Sequence, residues 1–476
     1  MNKNTRSRRD FLKSGGWGMA TLALSAASGS DCLGGAQGCR ASKPNIIFLL
    51  ADDLGYADLG CFGQKLIRTP HLDRMAAEST RFTQCYSGSA VCAPSRNALM
   101  TGQHTGHTRI RGNSPQVGGI PAVFEEASTR LSLEPEDVTI AELLKKQGYA
   151  TGLFGKWGLA EPGSPGAPEK KGFDEWLGYY NQDHAVYYYT PYLWRNGKKQ
   201  PLPENQGGHQ GVYTNDLFTR QALEFIDAHR SEPFFLYLAY TIPHKNYEVP
   251  DLGEYARKDW PADAKIFAAM ISRLDGYVGQ ILEHLKKIGI DGQTIVFFCS
   301  DNGEPKKAWG ELFESSLPLR GKKGSLYEGG IRTPMIVRWP GHVPAGRTST
   351  AAWYFPDFLP TALALAGGSA SGPIDGISIL PTLRGEKQDL ADRFLYWEFP
   401  NRNNYCQAIR WRRWKAVRNR LDQPFELYDL VADVSETRNI AMKHPEVMQR
   451  IRSYAGSART ESPHWPQSPK ALPLEK

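Results

Sequence analysis

Beyond residue 33 the sequence has no apolar run long enough to span a bilayer, which excludes a transmembrane helix from the mature chain. No Walker-type phosphate loop and no dinucleotide fingerprint stands at any strand end, so the common nucleotide-dependent chemistries lose their usual cradle. There is no internal repeat and no low-complexity tract, which argues against a scaffold. The seven cysteines are odd in number, scattered and free of any CxxC pair, so they define neither a disulfide framework nor a metal-thiolate site. Charge of one sign is also scarce. The formal balance is +7, part of it lies near the amino terminus, and the basic residues form no stripe that would bind nucleic acid. What remains is a chain of 476 residues, 41% hydrophobic, long enough for one large α/β body and a smaller second domain.

The first residues read as an export signal. Arg6-Ser7-Arg8-Arg9-Asp10-Phe11-Leu12-Lys13 is a charged region with adjacent arginines, followed by a small and apolar run from Gly15 to Ala27. The layout is that of a twin-arginine signal over residues 1–33, which implies export by the twin-arginine machinery to the periplasm or beyond. An amino-terminal membrane anchor is the competing reading, and the shortness of the apolar run counts against it.

From Lys43 onward, apolar strands alternate with helices, and polar residues collect where strands end. Asn45-Ile46-Ile47-Phe48-Leu49-Leu50 is apolar without alternation, the mark of a strand covered on both faces, and Asp52 and Asp53 follow it. The strand from Thr294 to Cys299 runs into Ser300-Asp301-Asn302. Ligands of open α/β sheets gather at such ends, and three carboxylates with an amide suit a hard divalent cation, Ca²⁺ or Mg²⁺, better than zinc. Lys156 follows straight after the strand Tyr149 to Phe154 and reads either as a point charge for an anion or as an ordinary snorkelling lysine. His244, past the strand Pro233 to Tyr240 and Pro243, is placed for proton transfer or for a local cap. Lys322, Lys323 and Glu328 lie in a Gly- and Lys-rich loop, Leu319 to Gly330.

Cys92-Ala93-Pro94-Ser95-Arg96 is the stretch around which these ends are arranged. Pro94 opens a helix and puts Cys92 on a loop ahead of its first turn, with Arg96 as a fixed cation; the cysteine is either a nucleophile for an oxyanion substrate or a buried free thiol. His104 and His107 follow in a loop as pocket candidates. Asn181 to Trp194, with Asp183, His184 and several tyrosines, suits either a sugar-binding wall or plain packing. Helices are expected over Glu136 to Gln147, Asn215 to His229, Ala262 to Lys287 and Ala352 to Ala366. After residue 385 short strands and a helix, Pro445 to Tyr454, predict a smaller antiparallel domain over 386–476, behind a catalytic α/β domain over 44–385.

Taken together, Cys92-Ala93-Pro94-Ser95-Arg96 with Thr101-Gly102, Ala51-Asp52-Asp53-Leu54-Gly55, Gly155-Lys156-Trp157, Pro243-His244, Ser300-Asp301-Asn302-Gly303 and Gly324-Ser325-Leu326-Tyr327-Glu328-Gly329-Gly330 resemble, in order, the motifs of the sulfatase family, arylsulfatase-like hydrolases of the alkaline phosphatase superfamily. The resemblance implies an alkaline phosphatase-like fold, a large mostly parallel sheet sandwiched by helices. It implies that a formylglycine-generating maturation enzyme converts Cys92 to formylglycine, and that Asp52, Asp53, Asp301, Asn302 and the modified Cys92 hold Ca²⁺. Arg96 then steadies the hydrated aldehyde, Lys156 and Lys323 contact the sulfate, and His244 faces the leaving group. The implied activity is hydrolysis of a sulfate ester on a sulfated saccharide, exo-acting and of galactose type, with Asp183 and His184 as substrate contacts. Two alternatives stay open: a phosphonate or phosphodiester hydrolase of the same superfamily, and a saccharide-binding homologue with impaired turnover. Gly158 keeps the second alive, because many members carry there a histidine that orients the hydrate; either His104 or His107 occupies the vacated space or the base is dispensable.

Overall fold

A computed structural model describes residues 43–124, 128–305, 309–370, 372–401 and 404–467. The export signal expected over residues 1–33 lies outside the described residues. The strands are β1 (Asn45–Ala51), β2 (Thr80–Tyr86), β3 (Ile120–Pro121), β4 (Thr129–Arg130), β5 (Ala150–Lys156), β6 (Glu175–Tyr179), β7 (Tyr192–Arg195) and β8 (Lys198–Pro201). They continue with β9 (Phe234–Ala239), β10 (Thr294–Ser300), β11 (Arg332–Arg338), β12 (Arg347–Ser349) and β13 (Trp353–Tyr354). The last four are β14 (Phe394–Asn401), β15 (Asn404–Trp411), β16 (Trp414–Arg418) and β17 (Glu426–Asp429).

Eleven strands make one sheet in the order β12-β2-β11-β10-β1-β9-β5-β6-β7-β8, with β13 also on β2. Its centre, β10-β1-β9-β5-β6, is parallel, and antiparallel pairings flank it on both sides. β1 shows why its sequence lacks alternation. Ile47, Leu49 and Ala51 pack on one face with residues of the helices Pro70–Ala77, Thr214–Ala228 and Ala262–Lys287. Ile46, Phe48 and Leu50 pack on the other with residues of Cys92–Thr101, Ile140–Lys146 and Phe358–Leu365. Both sets are fully buried, so each position must be apolar.

Register then places the polar ends. Ala51 pairs with Ser300 and Leu50 with Ala239, while Ala239 also pairs with Gly155. The residues that follow β1, β10 and β9, and Lys156 at the end of β5, therefore emerge side by side at one edge, the carboxyl ends of parallel strands.

Two expected helices are shorter than their sequence pattern. The segment from Glu136 becomes helical only at Ile140, where Thr139 and Glu142 form a capping box that sets the start. The segment from Ala352 begins as β13 and a 3-10 turn, Phe355–Asp357, before the helix Phe358–Leu365, because the Asp357 carboxylate accepts from the backbone N–H groups of Tyr354 and Ile377 and pairs with Arg393. The antiparallel sheet β14-β15-β16-β17 forms as expected, and Val447, Met448 and Ile451 of the helix Pro445–Ser457 cover Tyr396, Ile409 and Leu427. Residue 385 lies between the helix Leu380–Leu383 and β14. Among the described residues no helix is long and apolar enough to cross a membrane.

Candidate active site

Cys92 is the first residue of the helix Cys92–Thr101, not a loop residue ahead of it. Pro94 sits two positions inside, which is tolerated because the first backbone N–H groups of a helix have no partner within it. One of them, Ala93 N–H, donates to Asn113 Oδ1 at 3.0 Å. The helix places Arg96 one turn below Cys92, buried completely. Its Nε and Nη2 both donate to Asp301 Oδ2, at 3.0 and 2.8 Å, and Nη1 donates to Lys156 O at 2.7 Å. A guanidinium held at three points is a fixed charge.

The other cations bridge to the acids of β1. Lys156 Nζ donates to Asp52 Oδ2 at 2.6 Å, and Lys323 Nζ lies 2.7 Å from Asp53 Oδ2. Lys323 Nζ is also 3.5 Å from Cys92 Sγ and 3.1 Å from His244 Nε2, while Cys92 Sγ is 3.5 Å from Asp52 Oδ1. Asp53 N–H donates to Asp301 Oδ1 at 3.2 Å and Asn302 Nδ2 to Asp53 Oδ1 at 2.7 Å, which ties the ends of β1 and β10 together. All nine of these residues had been singled out from sequence, and the structure brings them to one place.

Burial and charge set their protonation. Burial opposes ionisation of Asp52, but Lys156, Arg96 and Lys323 outweigh it and hold the carboxyl well below the usual range. Asp301 is raised to about 6 by burial and by Asp52. Burial pushes the Cys92 thiol up to about 12 against the pull of Lys156 and Lys323, so the thiol keeps its proton and is a poor nucleophile. His244 is lowered to about 3 by burial and by Lys323, so its ring is neutral and Lys323 carries the proton between them.

A hard cation fits this donor set. Ligand atoms of Asp52, Asp53, Cys92 and His244 all lie within 4.8 Å of one another, and Asn302 Oδ1 is buried without a hydrogen-bond partner among the described residues. An orphaned amide oxygen beside carboxylates suits an oxygen-seeking ion.

The site opens into a cleft of about 490 Å³, whose lining includes Cys92, Lys323 and His244 together with Arg130, Gln182 and Asp183. Asp183 is on this wall and accepts from Ser128 Oγ and Arg130 Nη2. His184 is not. It is 2% exposed, stacked on Phe124 and bonded to Thr190 Oγ1, and burial lowers its pKa to about 3. Its aromatic neighbours enclose it, so the expected substrate contact is a packing residue. His104 and His107 are also elsewhere: both face Asp375. The space beside Gly158 belongs instead to Gln182, whose Nε2 donates to Gly158 O at 2.8 Å.

Two supports were invisible in the sequence. The Tyr188 hydroxyl lies 2.7 Å from His244 O and 3.0 Å from Thr241 O, and so holds the His244 turn from below. Asn215 exchanges hydrogen bonds with Thr241 at the end of β9. Tyrosine and asparagine are common, and nothing local marks either as a support.

Comparison with known proteins agrees with this geometry. Residues 44–369 match the model of the sulfatase family, and residues 322–455 match that of the N-sulphoglucosamine sulphohydrolase C-terminal region. Human arylsulfatase A is 32% identical over 469 residues, covering 87% of each chain. Human N-acetylgalactosamine-6-sulfatase is 35% identical over 373 residues, covering 73% of this chain and 67% of that one. The crystal structure of Ps i-CgsB in complex with k-i-k-neocarrahexaose superposes with a TM-score of 0.77 at 29% identity, over 90% of this chain and 96% of the other. With the α/β body matched along nearly its whole length and its relatives named as sulfatases, the chain belongs to the sulfatase family and is a sulfuric ester hydrolase.

Proposed function

We propose that this chain removes sulfate from a saccharide, with formylglycine made from Cys92 and Ca²⁺ as its reacting centre. The observation that carries the reading is the placement of Cys92 Sγ, 3.5 Å from both Asp52 Oδ1 and Lys323 Nζ, at the head of a helix whose Arg96 is locked to Asp301. As a thiol kept protonated by burial the residue has little use there; as a hydrated aldehyde it supplies a hydroxyl nucleophile, and Ca²⁺ supplies a Lewis acid for sulfate charge.

Asp52, Asp53, Asp301 and Asn302, with an oxygen on residue 92, hold the ion. Lys156 and Lys323 bind sulfate oxygens as point charges, and Arg96 keeps residue 92 oriented. Lys323 Nζ carries the proton for the departing ester oxygen, and neutral His244 Nε2, 3.1 Å away, accepts from the same ammonium and aims it. In the cleft wall, Asp183 and its partner Arg130 face the sugar. A relative named N-acetylgalactosamine-6-sulfatase supports a galactose-type ring, and exo action on a terminal unit is part of the same proposal. Maturation by a formylglycine-generating enzyme rests on the Cys92-Ala93-Pro94-Ser95-Arg96 motif, and export to the periplasm by the twin-arginine machinery rests on the leader sequence; both belong to the same reading.

The test is intact mass of the peptide carrying Cys92 from native material, joined to a rate screen on defined sulfated mono- and oligosaccharides. The expected results are a residue lighter than cysteine, turnover of galactose-type sulfates, and none in C92A. A clear preference for a phosphate diester, or an unmodified thiol in native protein, overturns it.

A further inference from the structure

Gly158 has φ +84°, a region that side-chain-bearing residues rarely adopt. A Cβ added there would lie 2.9 Å from Gln182 Nε2 and 3.4 Å from Arg96 Cδ. A histidine at 158 would therefore be strained and would collide with Gln182. The glutamine is 7% exposed and lines the same cleft as Cys92 and Lys323. Its neighbours pin it on both sides: Asn181 Nδ2 donates to both Glu161 carboxylate oxygens, at 2.7 and 2.9 Å, and Asp183 pairs with Arg130. Because Nε2 donates to Gly158 O at 2.8 Å, the amide orientation is determined, and Oε1 is the end left over. Oε1 is buried and has no hydrogen-bond partner among the described residues. A buried acceptor left without a partner, on a residue that lines the same cleft as Cys92, calls for a donor that arrives with the chemistry.

We propose that Gln182 is the positioning residue that replaces the family histidine: its Oε1 accepts a hydrogen bond from a hydroxyl of the hydrated formylglycine at position 92. The inference rests on the formylglycine reading above. It also separates two tasks that a histidine combines. An amide oxygen orients a hydroxyl but does not take its proton, so Gln182 adds no titrating step of its own. Gly158 and Gln182 are thus a matched pair, the glycine making room for the amide that its own carbonyl anchors.

The experiment uses full-length protein co-expressed with a formylglycine-generating enzyme, and compares wild type with Q182M, which keeps the bulk without the acceptor, and Q182E, which keeps acceptor oxygens. An aminooxy probe reacts only with free aldehyde, so its labelling rate on folded protein reports how strongly the hydrate is held, independently of turnover. Q182M is expected to label several-fold faster than wild type, and its kcat on a sulfate monoester to fall roughly tenfold with KM within about twofold. Q182E, which keeps acceptor oxygens but loses the Nε2 donor to Gly158 O, is expected to label between wild type and Q182M. If Q182M fails to fold, Q182L, which also removes the acceptor, takes its place, and labelling there at the wild-type rate overturns the proposal. Unchanged labelling and kcat in folded Q182M also overturn it, as does a change confined to KM, which would place Gln182 on the sugar. Wild type that carries the aldehyde yet turns over no sulfate ester counts against the sulfatase chemistry alone, because the labelling arm still reads Gln182. A Cys92 that stays a thiol under co-expression overturns both.

Discussion

Asp52, Asp53 and Asp301 face Arg96, Lys156 and Lys323 within one buried cluster, three anions against three cations. Adding a dication gives the cluster a surplus of positive charge, the condition that attracts a sulfate ester and stabilises charge on its oxygens. Within this cluster Lys323 is the group with a proton to give, since Asp53 holds it cationic while His244 stays neutral. K323M is therefore expected to lower kcat roughly 10²–10⁴-fold on a sugar sulfate, whose leaving group needs protonation. On an aryl sulfate with a good leaving group the loss should be far smaller. Equal losses on both substrates, measured side by side, would reassign Lys323 to sulfate binding alone. Asp52, Asp53, Lys156 and Asp301 were legible in the sequence because they stand at or just past the ends of apolar strands, and Arg96 because it lies in the first turns of a helix. Lys323, in a Gly- and Lys-rich loop, was marked only by the family resemblance. The role of Gln182 was not legible, because it depends on the backbone of a different loop bending around Gly158.

At the scale of elements, two devices hold the cluster in place. β5 runs so close to β9 that a Cβ on Gly155 would lie 1.9 Å from Ala239 O, so only glycine permits the pairing that aims Lys156. G155A is expected to cost about 3 kcal/mol and to lower the yield of folded protein, read by denaturant unfolding. The second device is the Lys323 loop. Glu328 at its end is fully buried, with Lys415 Nζ of β16 at 2.9 Å, the Tyr86 hydroxyl of β2 at 2.7 Å and Arg332 Nη1 at 3.2 Å. Burial opposes its charge, yet Lys415, Arg332 and Arg410 outweigh it and hold Glu328 at about 2. A carboxylate lowered in the folded state contributes stability that is present in full above its unfolded value, 4.5, and is lost as pH falls through about 2. K415M, which strands the charge, should cost roughly 3–5 kcal/mol at neutral pH. The gap from wild type should narrow in melts taken from pH 4.5 downward. A constant gap would show that packing, not the ion pair, anchors the loop. The apolar runs of β1, β9 and β10 announced themselves as strands, whereas the helices after Glu136 and Ala352 looked longer than they are. Helical periodicity marks an apolar face, but the capping box at Thr139 and the Asp357 carboxylate, which binds residues far along the chain, set where the helix starts.

Over the whole molecule, the proposed ion, held by the ends of β1 and β10, would couple metal binding to the fold. Chelation is expected to lower the melting temperature, and restoring free Ca²⁺ to a hundredfold above its dissociation constant should return about 2.7 kcal/mol. Full recovery with Mg²⁺ alone would argue for the smaller ion, which demands tighter octahedral geometry. Arg96 and Lys156 show why the metal ligands and cations belong together: removing positive charge from one side of a buried, nearly balanced cluster leaves unpaired charge on the other. By itself the sequence determined the fold class and that the acids after β1 and β10 meet at one edge, because burial on both faces forces continuous apolar strands and the loops after parallel strands gather there. Tertiary structure decided what no local pattern records: that His184 is enclosed by aromatic rings, that His104 and His107 turn to Asp375, and that Gln182 fills the place beside Gly158. The physical reason is the same in each case. Strand ends are located by backbone register, which sequence period encodes, whereas side-chain space is located by which distant residue packs there first, and only the assembled chain settles that.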